Sequence, residues 1–321
     1  MMTAHFTFGP VPSRRLGRSL GVDLVPLKTC TYDCLYCQLG RTTNKTVERK
    51  EWAGPLEAIV AEVKEKLTTR PDYITLSGSG EPTLYSRIAE LIDRIHGITD
   101  IPVAVLTNGS LLWDKTVRQE IASADLVIPS LDAGDAAMFA AVNRPCGGIL
   151  FEQMLEGLIT FRQEYRGACW LEILLLGGYT AIAAEVHKLE ACVRKIKPDR
   201  VQLNTVTRPP AEEYAAFVNK TRLHELARLF HPAAEVIADF EDARHSAEAT
   251  AGHQDIISLL QRRPCTAGDI ASGLGLHRNE VAKYLEHDLA QGKLEKCRIG
   301  GEVYYRPAAA VACNKGLGQR S

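Results

Sequence analysis

A chain of 321 residues, 45% of them apolar and 24% charged, can bury a full core and is too long for a minimal single module. The formal net charge of −1 excludes a global attraction to nucleic acid, although a local basic face stays open. No apolar run reaches the roughly 18 to 20 residues that a spanning helix needs, and the start lacks a basic-then-apolar signal region, so the expectation is a cytoplasmic protein without a membrane partner.

Short apolar runs at residues 21–25, 72–76, 102–106, 125–129, 170–176 and 200–204 read as six strands. Between them, residues 56–67, 86–96, 114–123, 151–165 and 183–195 place apolar side chains at helical spacing. Repeated strand-helix units imply an α/β domain with a parallel sheet, and six of them suit a partial (β/α)6 barrel, expected over residues 1–240. Polar motifs at the carboxyl ends of the strands then converge on one rim, where such folds bind ligands. The small, polar and charged stretch at 241–252 reads as a linker. Beyond it, helices at 253–263, 266–273 and 278–291 and a hairpin at 294–305 broken by Gly300-Gly301 make a winged helix-turn-helix over 253–307, followed by a tail at 308–321.

Nine cysteines are many for a reducing compartment, and an odd number is no disulfide framework. Cys146, Cys169, Cys192, Cys265, Cys297 and Cys313 lie far apart and read as buried or incidental thiols. Cys30, Cys34 and Cys37 differ, because the spacing Cys-x3-Cys-x2-Cys follows directly on the first strand. Three thiolates on one tight loop can each hold one iron of a cubane cluster and leave the fourth iron open. One alternative is a buried amphipathic helix face, since the positions are i, i+4 and i+7. The neighbouring Pro26, Thr29, Thr31 and Asp33 speak instead for a loop. A zinc site is the other alternative, and it lacks a fourth ligand in the motif.

Cys30-x3-Cys34-x-Tyr36-Cys37, with an aromatic residue before the last cysteine, resembles the signature of the radical S-adenosylmethionine (SAM) superfamily. Downstream, Ser77-Gly78-Ser79-Gly80-Glu81-Pro82 is similar to that family's Gly-Gly-Glu-Pro segment, with Ser79 where a glycine is common. The resemblance implies a [4Fe–4S] cluster on the three cysteines and SAM contacts from Tyr36, Gly78, Ser79, Gly80 and Glu81, with Glu81 facing the methionine amino group. Thr107-Asn108-Gly109 and Ser130-Leu131-Asp132 end the third and fourth strands, where ordinary turn and capping chemistry is the competing reading. By resemblance Asn108 and Ser130 surround SAM and Asp132 meets its ribose. Glu172, charged within an apolar strand, needs a partner or a polar cavity and is a further candidate.

Segments 8–17, 202–205 and 208–210 look like a little-characterised branch of the superfamily that has the tRNA wyosine-synthesis enzymes as distant relatives. Arg14, Arg15 and Arg208 in them read either as anion ligands or as solvated cations. Cys146, in Arg144-Pro-Cys-Gly-Gly148, is a candidate hydrogen-atom donor near the rim. The resemblance implies reductive cleavage of SAM to methionine and a 5′-deoxyadenosyl radical that abstracts a hydrogen atom from an unknown substrate. Flavodoxin or ferredoxin would supply the electron. Two rivals stand beside this reading: an iron-sulfur winged-helix regulator that binds nucleic acid, and an RNA-modifying radical SAM enzyme. The winged segment itself reads as a nucleic-acid or protein docking module; Glu280, Glu286 and Asp288 beside Arg278 and Lys283 make its third helix poor in phosphate-binding charge.

Overall fold

The computed structural model describes residues 5–238 and 253–308 except 275, 277 and 300. The expected linker and nearly all of the tail lie outside the described residues. In chain order the elements are β1 (Thr7–Ser13), β2 (Gly17–Val22), β3 (Thr29–Cys30), β4 (Asn44–Lys45), α1 (Leu56–Lys66), β5 (Tyr73–Leu76), α2 (Ile88–His96), β6 (Val103–Thr107), α3 (Lys115–Glu120) and β7 (Leu126–Pro129). They continue with α4 (Ala136–Val142), α5 (Phe151–Glu164), β8 (Ala168–Leu175), α6 (Ala183–Ile196), β9 (Arg200–Thr205), α7 (Lys220–Ala227) and β10 (Glu235–Val236). The carboxyl-terminal unit has α8 (His253–Arg262), α9 (Ala267–Leu274), α10 (Arg278–Ala290) and the hairpin β11 (Leu294–Ile299) and β12 (Glu302–Pro307).

Eight strands form one sheet in the order β1-β2-β5-β6-β7-β8-β9-β10. From β2 onward every pairing is parallel, as strand-helix-strand units require, while β1 joins β2 antiparallel. All six expected strands are present, the first of them shifted toward the amino terminus as β2. The pattern missed β1 because Gly9, Pro10 and Pro12 interrupt it. At the sheet edge, a residue without an N–H leaves no ladder bond unmade. It also missed α4, an alanine-rich helix without a charged face, and α7 and the two-residue β10, which carry too few apolar positions.

Alternation along the strands decides which side chains reach the site. On β8, Cys169, Leu171, Ile173 and Leu175 are buried and join a core with Leu56, Ile59, Leu91, Phe161, Val186 and Leu189 from the covering helices. The intervening Glu172 and Leu174 point to the other face, as do Ser19, Thr75, Leu106 and Asn204, and all six line one chamber. The unit of α8 to β12 closes over β1. Val11 is buried among Ile256, Leu259, Ile270 and Leu274, and Gly273 lies so close to Pro12 that a Cβ there would stand 2.7 Å from the proline ring.

Candidate active site

A chamber of about 420 Å³ lies on the inner face of the sheet and at the carboxyl ends of β5, β6, β7 and β9. That is within the range of small-molecule sites. The cysteine loop enters it after β2 and is zipped to the segment that follows β5. Lys28 N–H donates to the Ser79 carbonyl at 2.7 Å, Glu81 N–H donates to the Thr29 carbonyl at 3.1 Å, and Thr29 bridges Gly80. The zip explains the glycines. A Cβ on Gly80 would lie 1.7 Å from the Thr29 carbonyl oxygen, and Gly78 has φ +131° with Asp23 Oδ1 2.0 Å from where its Cβ would be. Asp23 also accepts the Ser79 N–H at 2.5 Å, which fixes the middle of the segment.

Cys30, Cys34 and Cys37 all line this chamber, with Tyr36, Gly78, Ser79, Gly80 and Glu81 beside them. Among the eight described cysteines none is in a disulfide. Asn108 Nδ2 donates to Cys30 Sγ at 3.4 Å and Asn143 Nδ2 donates to Cys34 Sγ at 3.5 Å. Burial pushes the Cys30 thiol up to about 12, and neighbouring Glu81 adds to it. Cys34 rises well above its ordinary value for the same reason, with Asp132 contributing, and burial raises Cys37 too. Desolvation and the nearby acids favour the protonated form of all three thiols, and a cationic centre would reverse that preference. Among the described residues no three His, Cys, Asp or Glu side chains gather as a single-ion site.

Glu81 lines the chamber, and Asp132 stands behind its wall. Glu81 Oε1 accepts from Thr83 N–H at 3.1 Å and from the Thr83 and Thr107 hydroxyls at 2.6 Å each, and Oε2 accepts Asn108 N–H at 2.7 Å. Its buried carboxylate accepts these four hydrogen bonds from its own chain, and the residue lines the chamber. Asp132 is buried as well and does not line the chamber. It accepts from the Tyr36 hydroxyl, from Asn143 Nδ2 at 2.9 Å and from Leu174 N–H at 2.9 Å. Burial raises both carboxyl groups, against the hydrogen bonds they accept. Both also position other groups. Glu81 holds the Asn108 backbone and Asp132 holds the Asn143 amide, so each stands behind the donor to one cysteine sulfur.

The other assignments fall at the chamber. Asn108 and Ser130 line it, and Ser130 forms a bridge with Glu172. Glu172 is paired with Arg15 at 2.7 Å and accepts from Asn204 Nδ2 at 2.9 Å. Burial pulls its carboxyl up, but Arg15, Asn204 and Arg14 outweigh that and leave it below the ordinary carboxylate range. Cys146 donates its N–H to the Thr31 carbonyl at 2.8 Å and its Sγ to the Lys45 carbonyl at 3.9 Å, and its side chain is not among the chamber residues. Sequence reasoning missed Asn143, Asp23 and the pair Arg262 and Arg263. The last two come from the carboxyl-terminal unit, and Arg262 Nε donates to Asp23 Oδ2 at 2.5 Å. Nothing in the local sequence marks a contact across 239 positions.

Comparison with known proteins agrees with this arrangement. The radical SAM superfamily profile matches residues 24–189. A UPF0026 protein of Methanocaldococcus jannaschii is 33% identical over 93% of this chain and 94% of its own length. A Brachyspira hyodysenteriae protein named GTPase Obg is 39% identical over 93% of this chain, which spans only 44% of that relative. The tRNA 4-demethylwyosine synthase of M. jannaschii is 31% identical over 52% of this chain and 51% of its own. Among solved structures, Streptococcus suis SuiB bound to S-adenosylmethionine superposes with a TM-score of 0.52 over 74% of this chain and 54% of that one, at 15% identity, a likeness of fold. The chain belongs to the radical SAM superfamily, and to its UPF0026 branch, whose chemistry rests on a [4Fe–4S] cluster and S-adenosylmethionine.

Proposed function

We propose that the protein is a SAM-cleaving radical enzyme of the cytoplasm, built as a partial six-unit barrel closed by a winged-helix unit, with Cys30, Cys34 and Cys37 holding the cluster. One observation carries the reading: the three thiols face one chamber, and the loop that bears them is hydrogen-bonded strand-fashion to the Ser77–Glu81 segment. The donor set fits the cluster, since three sulfurs leave one iron open and two of the sulfurs already receive amide hydrogen bonds. Bound together, the cluster and SAM supply methionine and a 5′-deoxyadenosyl radical once an external donor such as flavodoxin or ferredoxin delivers an electron.

The chain's own residues bind, orient and shield. Gly78, Ser79 and Gly80 bring backbone groups to the chamber wall, and Tyr36, Asn108, Ser130 and Glu172 supply polar groups around it. Glu81, on the chamber wall, would meet the SAM amino group while it holds the Asn108 backbone, and Asp132 holds Tyr36 and Asn143 from behind the wall. Arg262 and Arg263 cap the opening from the carboxyl-terminal unit and help keep bulk water out. That role weighs against a nucleic-acid regulator, as does Asp288, which is buried on α10 and bonded to His253 at 2.6 Å instead of being displayed. The experiment is anaerobic reconstitution with iron and sulfide, reduction, and assay of 5′-deoxyadenosine from SAM. Reconstituted, reduced protein that forms none rejects the reading.

A further inference from the structure

The connection between β2 and α1 carries the cysteine loop to the protein surface. In it β4 pairs with β3 in parallel, Thr29 opposite Asn44 and Cys30 opposite Lys45, and among the described residues no other strand joins β4. Thr46 N–H donates to the Cys30 carbonyl at 3.0 Å, and the Thr43 and Asn44 N–H groups donate to the Lys28 carbonyl at 3.2 and 3.1 Å. Both residues of β4 are exposed. Cys30 therefore stands one strand spacing, about 4.8 Å, from an exposed edge strand. Cys37 reaches the same surface, where its carbonyl accepts Gly40 N–H at 3.0 Å and Lys28 Nζ lies 3.1 Å from where a Cβ on Gly40 would be.

Apolar and cationic side chains share this face. Leu27 is 50% exposed and Val47 45%. Every exposed large apolar side chain among the described residues, from these two to Tyr214 and Phe217, lies between the end of a strand and the start of the helix that packs back from it. The exposed apolar surface thus gathers at the end of the sheet that bears the cysteines, as a docking face would. Residues 26–50 hold five lysines and arginines against two acids. Ion pairs remove part of that charge. Arg41 and Arg144 both meet Glu212, at 2.8 and 2.6 Å, Arg144 also reaches Asp33 at 3.8 Å, Lys50 meets Glu48 at 3.2 Å, and Arg49 is bonded to Glu120. Lys45 and Lys28 keep theirs: Lys45 Nζ donates to the Arg144 carbonyl at 3.4 Å, and neither ammonium has a carboxylate within 4.0 Å among the described residues. A small apolar centre beside unpaired lysines fits a transient partner with an acidic surface, because the charges steer the encounter and the apolar contact holds it. Electron carriers dock through such small interfaces. An RNA backbone would need a longer run of free cations than two lysines.

We infer that the face formed by Leu27, Lys28, Lys45 and Val47 is the docking site of a small acidic one-electron carrier protein, which delivers its electron across β4 to the cluster at Cys30 and Cys37. One electron leaves the carrier and enters the cluster, so the carrier is oxidised and the cluster reduced by one electron, with no bond made or broken. The inference rests on the radical reading for the presence of the cluster. It puts the carrier on the outer side of the cysteine loop, away from the opening that Arg262 and Arg263 cap.

Full-length, cluster-loaded protein is mixed anaerobically with flavodoxin, an acidic carrier. Calorimetry follows binding, and stopped-flow absorbance follows the rate at which the reduced carrier reduces the cluster. Binding should weaken as salt is added, by about tenfold when the Debye length shrinks from about 30 to about 8 Å. Lys45→Glu should weaken binding and slow reduction by about tenfold at low salt, and Leu27→Glu by a similar factor. Photoreduced 5-deazariboflavin needs no docking face and should reduce both variants at the parent's rate. Lys64→Glu, exposed near the far end of α1, should bind flavodoxin as the parent does. No binding to the parent protein, binding insensitive to salt, an undiminished affinity and rate in folded Lys45→Glu, or displacement of flavodoxin by tRNA, which would give the face to RNA, would each overturn the proposal. Should Lys45→Glu not fold, Lys45→Gln decides in its place, with a smaller loss expected. Neither readout involves SAM cleavage, so failure here leaves the radical reading standing, and absence of 5′-deoxyadenosine leaves this docking face standing.

Discussion

Glu81 and Asp132 each sit behind an asparagine, and the two asparagines donate to Cys30 and Cys34. Hydrogen bonds to sulfur help set a cluster's potential by stabilising its more negative, reduced state. Asn108→Ala, which keeps the backbone N–H bonded to Glu81, should therefore make the reduction potential more negative, and Asn143→Ala likewise. The expected scale is up to about 60 mV, a tenfold change for one electron, read in an anaerobic redox titration. Glu81→Gln has a different expected outcome. Each oxygen of Glu81 accepts a backbone N–H, from Thr83 and from Asn108, and glutamine can accept only one of them. The other is left unpaired at a cost of about 1–3 kcal/mol, visible as a lower melting temperature. Cys34→Ala should lose most of the iron and all SAM cleavage while keeping the fold, and full iron content in that variant would refute the ligand assignment.

At the scale of elements, the carboxyl ends of β5, β6, β7 and β9 bring the motifs together, and the zip between the cysteine loop and the Ser77–Glu81 segment sets their spacing. Gly80→Ala tests that zip. Its methyl group would overlap the Thr29 carbonyl, so the two segments must part, at about 1–3 kcal/mol of stability. SAM affinity in an anaerobic titration should fall with it, and unchanged affinity would show that the zip does not shape the ligand site. Strand alternation accounts for Glu172, which reads as an anomaly in a linear apolar run. Its neighbours Leu171 and Ile173 face the helices, while Glu172 meets Arg15 on the chamber side.

For the whole molecule, buried contacts join the carboxyl-terminal unit to the sheet. Arg262 pairs with Asp23, both side chains largely buried, and Asp23 in turn holds Ser79 N–H. A chain ending at residue 240 would also expose Val11 and leave Asp23 unpaired. Such a chain should melt at a markedly lower temperature and lose SAM affinity, and Arg262→Ala should show part of the same loss, up to about 3 kcal/mol. Intact cleavage by the truncated protein would restore the view of a separable module that the composition at 241–252 favours.

What the sequence determined by itself were the features written in local periodicity and spacing. The six parallel strands follow from apolar runs of strand length, the major helices from helical spacing, and the candidate cluster ligands from three cysteines in eight positions after a strand. Roles that depend on orientation were decided only by the tertiary structure. Glu81 and Asp132 occupy the expected strand ends, yet their oxygens turn inward to donors supplied by residues up to 96 positions away, a choice that burial and hydrogen-bond satisfaction make jointly. Arg14, Arg15 and Arg208 read more readily as solvated cations in the sequence, and only the fold brings all three to one chamber. Contacts between segments so far apart leave no periodic trace, because the energy that selects them arises only when the chain closes the chamber.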